Sequence, residues 1–172
     1  PVVSAFTATA TQIVKDDIIS LLHLSNPFTL TTGFDRENLN FSVETLENKN
    51  NFIIDFLKNN SDTSGIIYCL TRKTVDSLFD NLSSLGYNVC KYHGGMSEKD
   101  RTQSQNDFTY DRSLVMIATN AFGMGIDKSN IRYVIHYNMP KDLESYYQEA
   151  GRAGRDGDNA KCILLFSRAD IV

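Results

Sequence analysis

No apolar run in this chain approaches the roughly 20 residues that cross a bilayer, and its first residues lack the charged-then-apolar pattern of a secretory leader. No membrane partner is therefore expected. Cysteine is scarce: Cys69, Cys90 and Cys162 are odd in number, far apart and outside any zinc spacing. Each lies in or beside an apolar stretch, so they read as reduced core residues of a cytosolic protein. Two nucleotide-holding devices are also missing. There is no G-x-x-x-x-G-K-[ST] phosphate loop and no adjacent Asp-Glu pair after a strand to hold Mg²⁺. No serine sits in a nucleophile elbow. His93 has no second candidate ligand nearby, and His23 and His136 stand in unrelated contexts, so no metal site is expected.

What remains is ordinary globular material. The 172 residues are 41% hydrophobic and 22% charged, enough for one domain with a buried core. A net charge of −4 argues against a general nucleic-acid coat protein but allows a local basic groove. From Gly65 onward, short apolar runs alternate with helical patterns. Strands are expected at 65–70, 88–93, 113–119, 132–138 and 160–166. Thr71 can cap a helix with Val75, Leu78, Phe79, Leu82 and Leu85 on one face, closed by Gly86. Ser97 with Asp100 caps a second helix reaching about Phe108, and a third runs from Leu143 to Ala150. Continuous apolar strands alternating with helices predict an α/β fold: a mostly parallel sheet in three layers, helices on both faces. The first sixty residues are less regular. Thr9 and Gln12 suit a capping box for a helix over 13–23, "FTLTT" (28–32) and "NLNFSVETL" read as strands, and Phe52 to Leu57 reads as helix. The chain begins at Pro1 and stops at "SRADIV", where Ser167 and Asp170 resemble the capping box of a helix barely started, so a fragment of something larger is expected.

Three segments invite a functional reading. "QEAGRAGRDG" (148–157) places Arg152 and Arg155 on a glycine-laced helix end. Either this is a solvated C-terminus suited to cations, or it is an edge where guanidiniums grip phosphate oxygens. "ATNAFGMGIDKSNI" (118–131) either makes a tight bend or exposes Thr119 and backbone N–H groups to a phosphate, with Asp127 near a ribose. "YHGGM" (92–96) reads better as a polar turn against a nucleic-acid backbone than as a metal site. Ligands of such sheets bind at the carboxyl ends of the strands. That edge would carry Thr71-Arg72, His93-Gly94-Gly95, residues 119–125 and Asn138-Met139-Pro140-Lys141. If the arginines serve a nucleotide, its phosphates and metal must sit on another domain.

Together these segments resemble a known family. "ATNAFGMGIDK" followed by "SYYQEAGRAGRDG" is similar to motifs V and VI of superfamily 2 helicases, in the wording of the RecQ DNA helicases. "IIYCLTRKTVDSLFDNLSSLGYNVCKYHGGM" resembles motif IV and its surroundings, and "FTATAT" (6–11) resembles motif III, which closes a first RecA-like domain. "FDRENLNFSV" (34–43) resembles the start of the second. The resemblance implies residues 1–25 as the tail of a first RecA-like domain and 26–172 as the second. It implies Arg155, with Arg152, as an arginine finger facing ATP and Mg²⁺ on the absent first domain, and Gln148 as a coupling residue. Asp127, Gly125, Gly151 and Gly154 would line the nucleotide. Thr71, Arg72, His93, Gly94, Thr119 and Asn120 would follow the DNA backbone, and Thr7 and Thr9 would link ATP state to DNA. Gly94-Gly95 departs from the usual Ala-Gly, and Ser129 from the usual Pro, which puts only local loop rigidity in question. The expected partners are DNA and the first RecA-like domain of the same chain. The expected function is 3′–5′ unwinding in repair and recombination, at the nucleoid of a bacterium or in a eukaryotic nucleus. The alternatives are another superfamily 2 motor, such as an RNA helicase or chromatin remodeller, and a non-catalytic DNA-binding module. This chain by itself is expected to hydrolyse no ATP and to bind single-stranded DNA weakly, with strong salt dependence.

Overall fold

A computed structural model describes residues 2–7, 11–31, 36–123 and 126–170. The expectations for Thr9 and Gly125, and for parts of the "FTATAT" and "FDRENLNFSV" segments, lie outside the described residues. The chain divides into two compact units, Pro1–Arg36 and Glu37–Val172.

The first unit carries one helix, α1 (Gln12–Leu21). Its N-cap is Thr11, whose hydroxyl accepts from Val14 N–H at 3.4 Å. Gln12 is thus the first helical residue and not half of a capping box, and its amide bonds Asp16 one turn on at 2.9 Å. The strand expected at "FTLTT" does not form over its described residues 28–31. Phe28 is 89% exposed and Leu30 75%. β-formers without a sheet to bury them do not make a strand.

The second unit contains β1 (Leu39–Thr45), α2 (Lys49–Asn59), β2 (Ser64–Tyr68), α3 (Arg72–Ser84), β3 (Val89–Tyr92) and α4 (Glu98–Thr109). β4 (Val115–Ala118), β5 (Ile131–His136), α5 (Leu143–Ala150), β6 (Ala160–Phe166) and a 3-10 turn at Arg168–Asp170 follow. The six strands lie in the order β1-β6-β5-β2-β4-β3, and every neighbouring pair is parallel. All five residues of β2 and all four of β4 are buried, as continuous apolar central strands must be. One face packs α2 and α3 through Ile53, Leu57, Val75, Leu78 and Leu82 onto Ile67, Ile117 and Ile135. The other face packs α4, the 119–130 segment and α5 through Phe108, Phe122, Ile126 and Ala150 onto Tyr68, Met116 and Val134.

Local chemistry sets the helix ends. The hydroxyl of Thr71 accepts from Thr74 N–H (3.1 Å), that of Ser97 from Asp100 N–H (3.1 Å), and the Asp142 carboxylate from Ser145 N–H (2.7 Å). Gly86, at φ +83°, ends α3 in the left-handed conformation that glycine tolerates. Leu85, expected on the buried face of α3, is instead the C-cap and 55% exposed, because the helix has already ended at Ser84. The three cysteines are free and buried, and burial pushes the Cys69 and Cys90 thiols up to about 12. They are core residues, not nucleophiles. Among the described residues, no helix is long and apolar enough to cross a membrane.

The end of β6 is tied back across the sheet. Asp170 accepts from Ser167 N–H (2.8 Å) and pairs with Lys49 Nζ (2.6 Å), which also donates to Tyr137 O (2.6 Å). Burial pushes the Asp170 carboxyl up, but Lys49 and Ser167 outweigh it and hold the group below its ordinary range. Asp170→Asn leaves a buried ammonium without its counter-charge and should cost about 3–5 kcal/mol in chemical denaturation. Because the folded value lies below the unfolded one of about 3.9, the pair contributes fully above that pH. Its contribution is lost as pH falls through the folded value, so the wild-type advantage over Asp170→Asn should shrink in acid.

Candidate functional site

The turn after α5 is built by crowding around Gly154. Its N–H donates to Ile131 O, at the first residue of β5 (2.8 Å). Its φ is +55°, and a Cβ there would lie 2.6 Å from both Asp158 O and Asn38 Nδ2. Asn38 fills that space by donating to Gly154 O (2.9 Å) and Asp158 O (2.8 Å). Glycine at 154 therefore has a packing reason of its own. Gly151 caps α5, its N–H donating to Tyr147 O at 2.8 Å. An ion pair between Arg132 and Asp156 fastens the far side of the turn to β5.

Arg152 and Arg155 emerge from this turn toward the 119–130 segment. Arg152 Nη1 donates to Gly123 O, and Arg155 Nη1 donates to Ile126 O at 2.7 Å. A Cβ at Gly123 would lie 2.6 Å from Arg152 Cζ, so glycine is what lets the guanidinium approach. Arg152 is half-buried and Arg155 exposed. Tyr68 lies beneath them, donating its hydroxyl to Phe122 O at 3.1 Å. Burial raises the Tyr68 phenol well above its ordinary value and the nearby Arg152 pulls against it, so the phenol stays a neutral donor.

Electrostatically, the two arginines differ from their neighbours. Carboxylates pair with Lys49, Lys91, Arg112, Lys128 and Arg132. Neither Arg152 nor Arg155 pairs with a carboxylate among the described residues. Both are held by neutral carbonyls, which position a guanidinium and leave its charge uncompensated.

A second cluster forms at the carboxyl ends of β2 and β3. Arg72 opens α3 beside the Gly94-Gly95 turn, where a Cβ at Gly95 would lie 3.2 Å from Arg72 Nη1. The buried His93 ring holds that turn by accepting from Gly95 N–H through Nδ1 (3.1 Å). His93 Nε2 faces Asp76 Oδ1 at 3.3 Å, the same oxygen that accepts from Lys91 Nζ at 2.6 Å. The Lys91 hydrogen bond, with help from His93, holds the Asp76 carboxyl below its ordinary range. Thr71 and Gly94 belong to this exposed cluster. Thr119 is buried, its N–H bonded to Tyr92 O at 3.1 Å, whereas Asn120 is exposed and lines a cleft with His136 and Asn138.

The site residues expected from sequence thus separate into two places. Thr71, Arg72, His93, Gly94, Thr119 and Asn120 lie at the carboxyl edge of the sheet, whereas Gly151, Arg152, Gly154 and Arg155 lie on the turn after α5, which reaches Gly123, Ile126 and Ile131. Gln148 and Asp127 are exposed, on α5 and just after Ile126, and Thr7 is exposed in the first unit. Sequence reasoning missed Gly123 and Ile126 as carbonyl anchors, and Tyr68, Asp76 and Glu149 as supports. None carries a local signal, because each acts through a partner at least 13 residues away, except that Asp76 also sits one turn after Arg72.

The description "Helicase conserved C-terminal domain" matches residues 48–157. The chain belongs to this family. The domain is 52% identical over 172 residues to the ATP-dependent DNA helicase RecQ of Bacillus subtilis, covering 100% of this chain and 29% of that protein. It is 40% identical over 168 residues to the protein of the same name from Haemophilus influenzae, covering 98% of this chain and 27% of that one. These similarities place it among the RecQ-type C-terminal helicase domains. The domain also matches the structure of S. cerevisiae Dbp5 bound to RNA and ADP BeF3, with TM-score 0.79 and 25% identity. That match covers 94% of this chain and 44% of the other, and the shared fold is RecA-like. The domain spans less than a third of the length of the curated relatives it matches.

The His93 bonds require one tautomer: Nδ1 accepts, so the hydrogen sits on Nε2 and faces Asp76. ¹⁵N-resolved NMR of the histidine rings should find His93 as the Nε2–H form at neutral pH. Asp76→Ala should mix the tautomers and broaden the Gly94 and Gly95 amides. An Nδ1–H ring in the wild type would contradict this arrangement.

Proposed function

We propose that this domain is the second RecA-like motor domain of an ATP-dependent RecQ-type DNA helicase, supplying the arginine finger and half of the single-stranded DNA track. The observation that carries this reading is the pair of guanidiniums, Arg152 and Arg155, anchored to carbonyls and matched with no carboxylate among the described residues. Such cations suit an anion delivered from outside the domain. The chain has no phosphate loop, so the cradle for ATP belongs to a partner domain. Among the described residues no three His, Cys, Asp or Glu side chains converge on a metal position. The Mg²⁺ that accompanies ATP is therefore assigned to that partner, where it would neutralise phosphate charge.

When the two domains close, Arg155 meets the γ-phosphoryl oxygens and offsets the charge that builds as the bond to the leaving group breaks. Arg152, shorter in reach because Gly123 holds it, orients the turn and adds to the field. Gln148 and Asp127 flank the same opening. At the other edge, Arg72 and the His93-Gly94-Gly95 turn hold DNA phosphates, together with Thr71, Thr119 and Asn120. Closure and opening then move one phosphate grip relative to the other, in the 3′–5′ sense that the RecQ resemblance implies. The RecQ names of the relatives favour DNA over RNA, and a comparison of turnover stimulated by each nucleic acid separates the two.

Arg155→Ala in the intact parent protein should lower DNA-stimulated ATP turnover by about 10³-fold or more while ATP binding persists. Unchanged turnover would remove the finger role from Arg155. Wild-type binding to single-stranded DNA should weaken steeply with salt, and Arg72→Ala should reduce the slope of log K against log salt by about one phosphate contact. Affinity indifferent to salt would refute a phosphate track.

A further inference from the structure

Two of the buried polar atoms without a hydrogen-bond partner among the described residues, His136 Nδ1 and Arg152 Nε, belong to the surroundings of one short helix, α5. His136 ends β5 and is 1% exposed. Its Nε2 lies 2.9 Å from Glu149 Oε2 on α5, and that carboxylate side chain is 13% exposed. A carboxylate only accepts, so Nε2 carries a hydrogen and the bond orients the ring. Tyr68 stacks on the ring at 5.6 Å and Tyr146 meets it edge-on at 4.8 Å, so it has little room to turn. A fixed, buried ring with an unanswered nitrogen calls for an explanation, because such atoms are rare in folded proteins.

With its hydrogen on Nε2, the ring presents Nδ1 as an acceptor that an oxyanion cannot answer, so its part here is to hold Glu149 in place. His136 and Glu149 form part of the wall of a cleft at the ends of β2, β4 and β5, shared with Asn120, Asn138, Lys141 and Ser145. A lysine, two amides and a hydroxyl can donate to an anionic oxygen, whereas the first turn of α5 is already capped by the Asp142 carboxylate. Among the described residues the one carboxylate lining that wall, Glu149, is already engaged by His136. From the cleft, two short routes reach the arginine turn. Glu149 O accepts from Arg152 N–H at 3.3 Å. Tyr68, stacked on His136, donates to Phe122 O, the residue before the Gly123 that holds Arg152. With eight residues, α5 spans about 12 Å between the cleft and that turn.

We propose that the cleft receives a phosphodiester oxyanion of the bound strand, and that His136, acting through Glu149, is a positioning residue that transmits its occupancy to Arg152 and Arg155. The inference rests on the motor reading above. It goes beyond it by naming the elements that connect the strand to the arginines: one rigid helix with a phosphate contact at its start and two guanidiniums past its end.

The test uses the intact parent protein, with a short oligothymidylate as the nucleic acid. His136→Ala and Glu149→Ala should each lower the ratio of DNA-stimulated to DNA-free turnover by about tenfold or more, and the double substitution should be no worse than either. Glu149→Gln, which keeps an acceptor for Nε2–H, should restore most of the ratio. Lys141→Ala, a surface change that leaves folding intact, should weaken oligothymidylate binding and lower its salt slope by about one unit. An unchanged salt slope would show that the cleft holds no phosphate, and would overturn the proposal. So would stimulated and unstimulated turnover falling by the same factor with a lowered Tm, which would reduce the pair to packing. Wild-type turnover indifferent to the oligonucleotide would overturn the motor reading itself, and this inference with it.

Discussion

The arginine end of the domain depends on the chain after α5 lying flat against the start of β5. Only a residue without a side chain fits there, because Asn38 and Asp158 occupy the space a Cβ would need. Once Gly154 N–H is bonded to Ile131 O, the positions of its neighbours on either side are set by geometry alone. Arg152 is delivered to Gly123, Arg155 to Ile126, and Asp156 to Arg132. The sheet therefore holds the guanidiniums by backbone contact rather than by ion pairing. Neither guanidinium is paired with a carboxylate among the described residues.

The acidic balance of the chain fits this arrangement. Acidic groups are placed beside structural cations: Asp76 beside Lys91, Asp107 beside Arg112, Asp111 beside Lys128 and Asp170 beside Lys49. A net charge of −4 thus allows a local cationic surface, because many carboxylates are spent on structural cations. The two candidate clusters lie on different loops. One lies at the carboxyl edge of the sheet and the other on the turn after α5, anchored to Gly123 and Ile126.

Much of the fold was legible because parallel sheets buried on both faces write long apolar runs into the sequence. "GIIYCL", "SLVMIAT" and "AKCILLF" could hardly be anything else, and Thr71, Ser97 and Gly86 mark helix ends through short-range bonds. The failures share one cause. "FTLTT" has the composition of a strand but no sheet beside it, and Leu85 has the spacing of a core residue but follows the last helical turn. Local pattern states what a segment prefers, and only neighbours decide whether that preference is met.

The candidate site divides in the same way. The sequence by itself determined the kinds of groups present: two arginines among glycines, a His-Gly-Gly turn, and no phosphate loop. Those follow from residue identity and spacing along the chain. Only the tertiary structure decided which carbonyls hold the arginines, that Asp76 sets the hydrogen of His93, and that His136 meets Glu149 across 13 residues. Hydrogen bonds of this range depend on how strands and helices pack, and packing is a property of the whole fold that no short stretch of sequence contains.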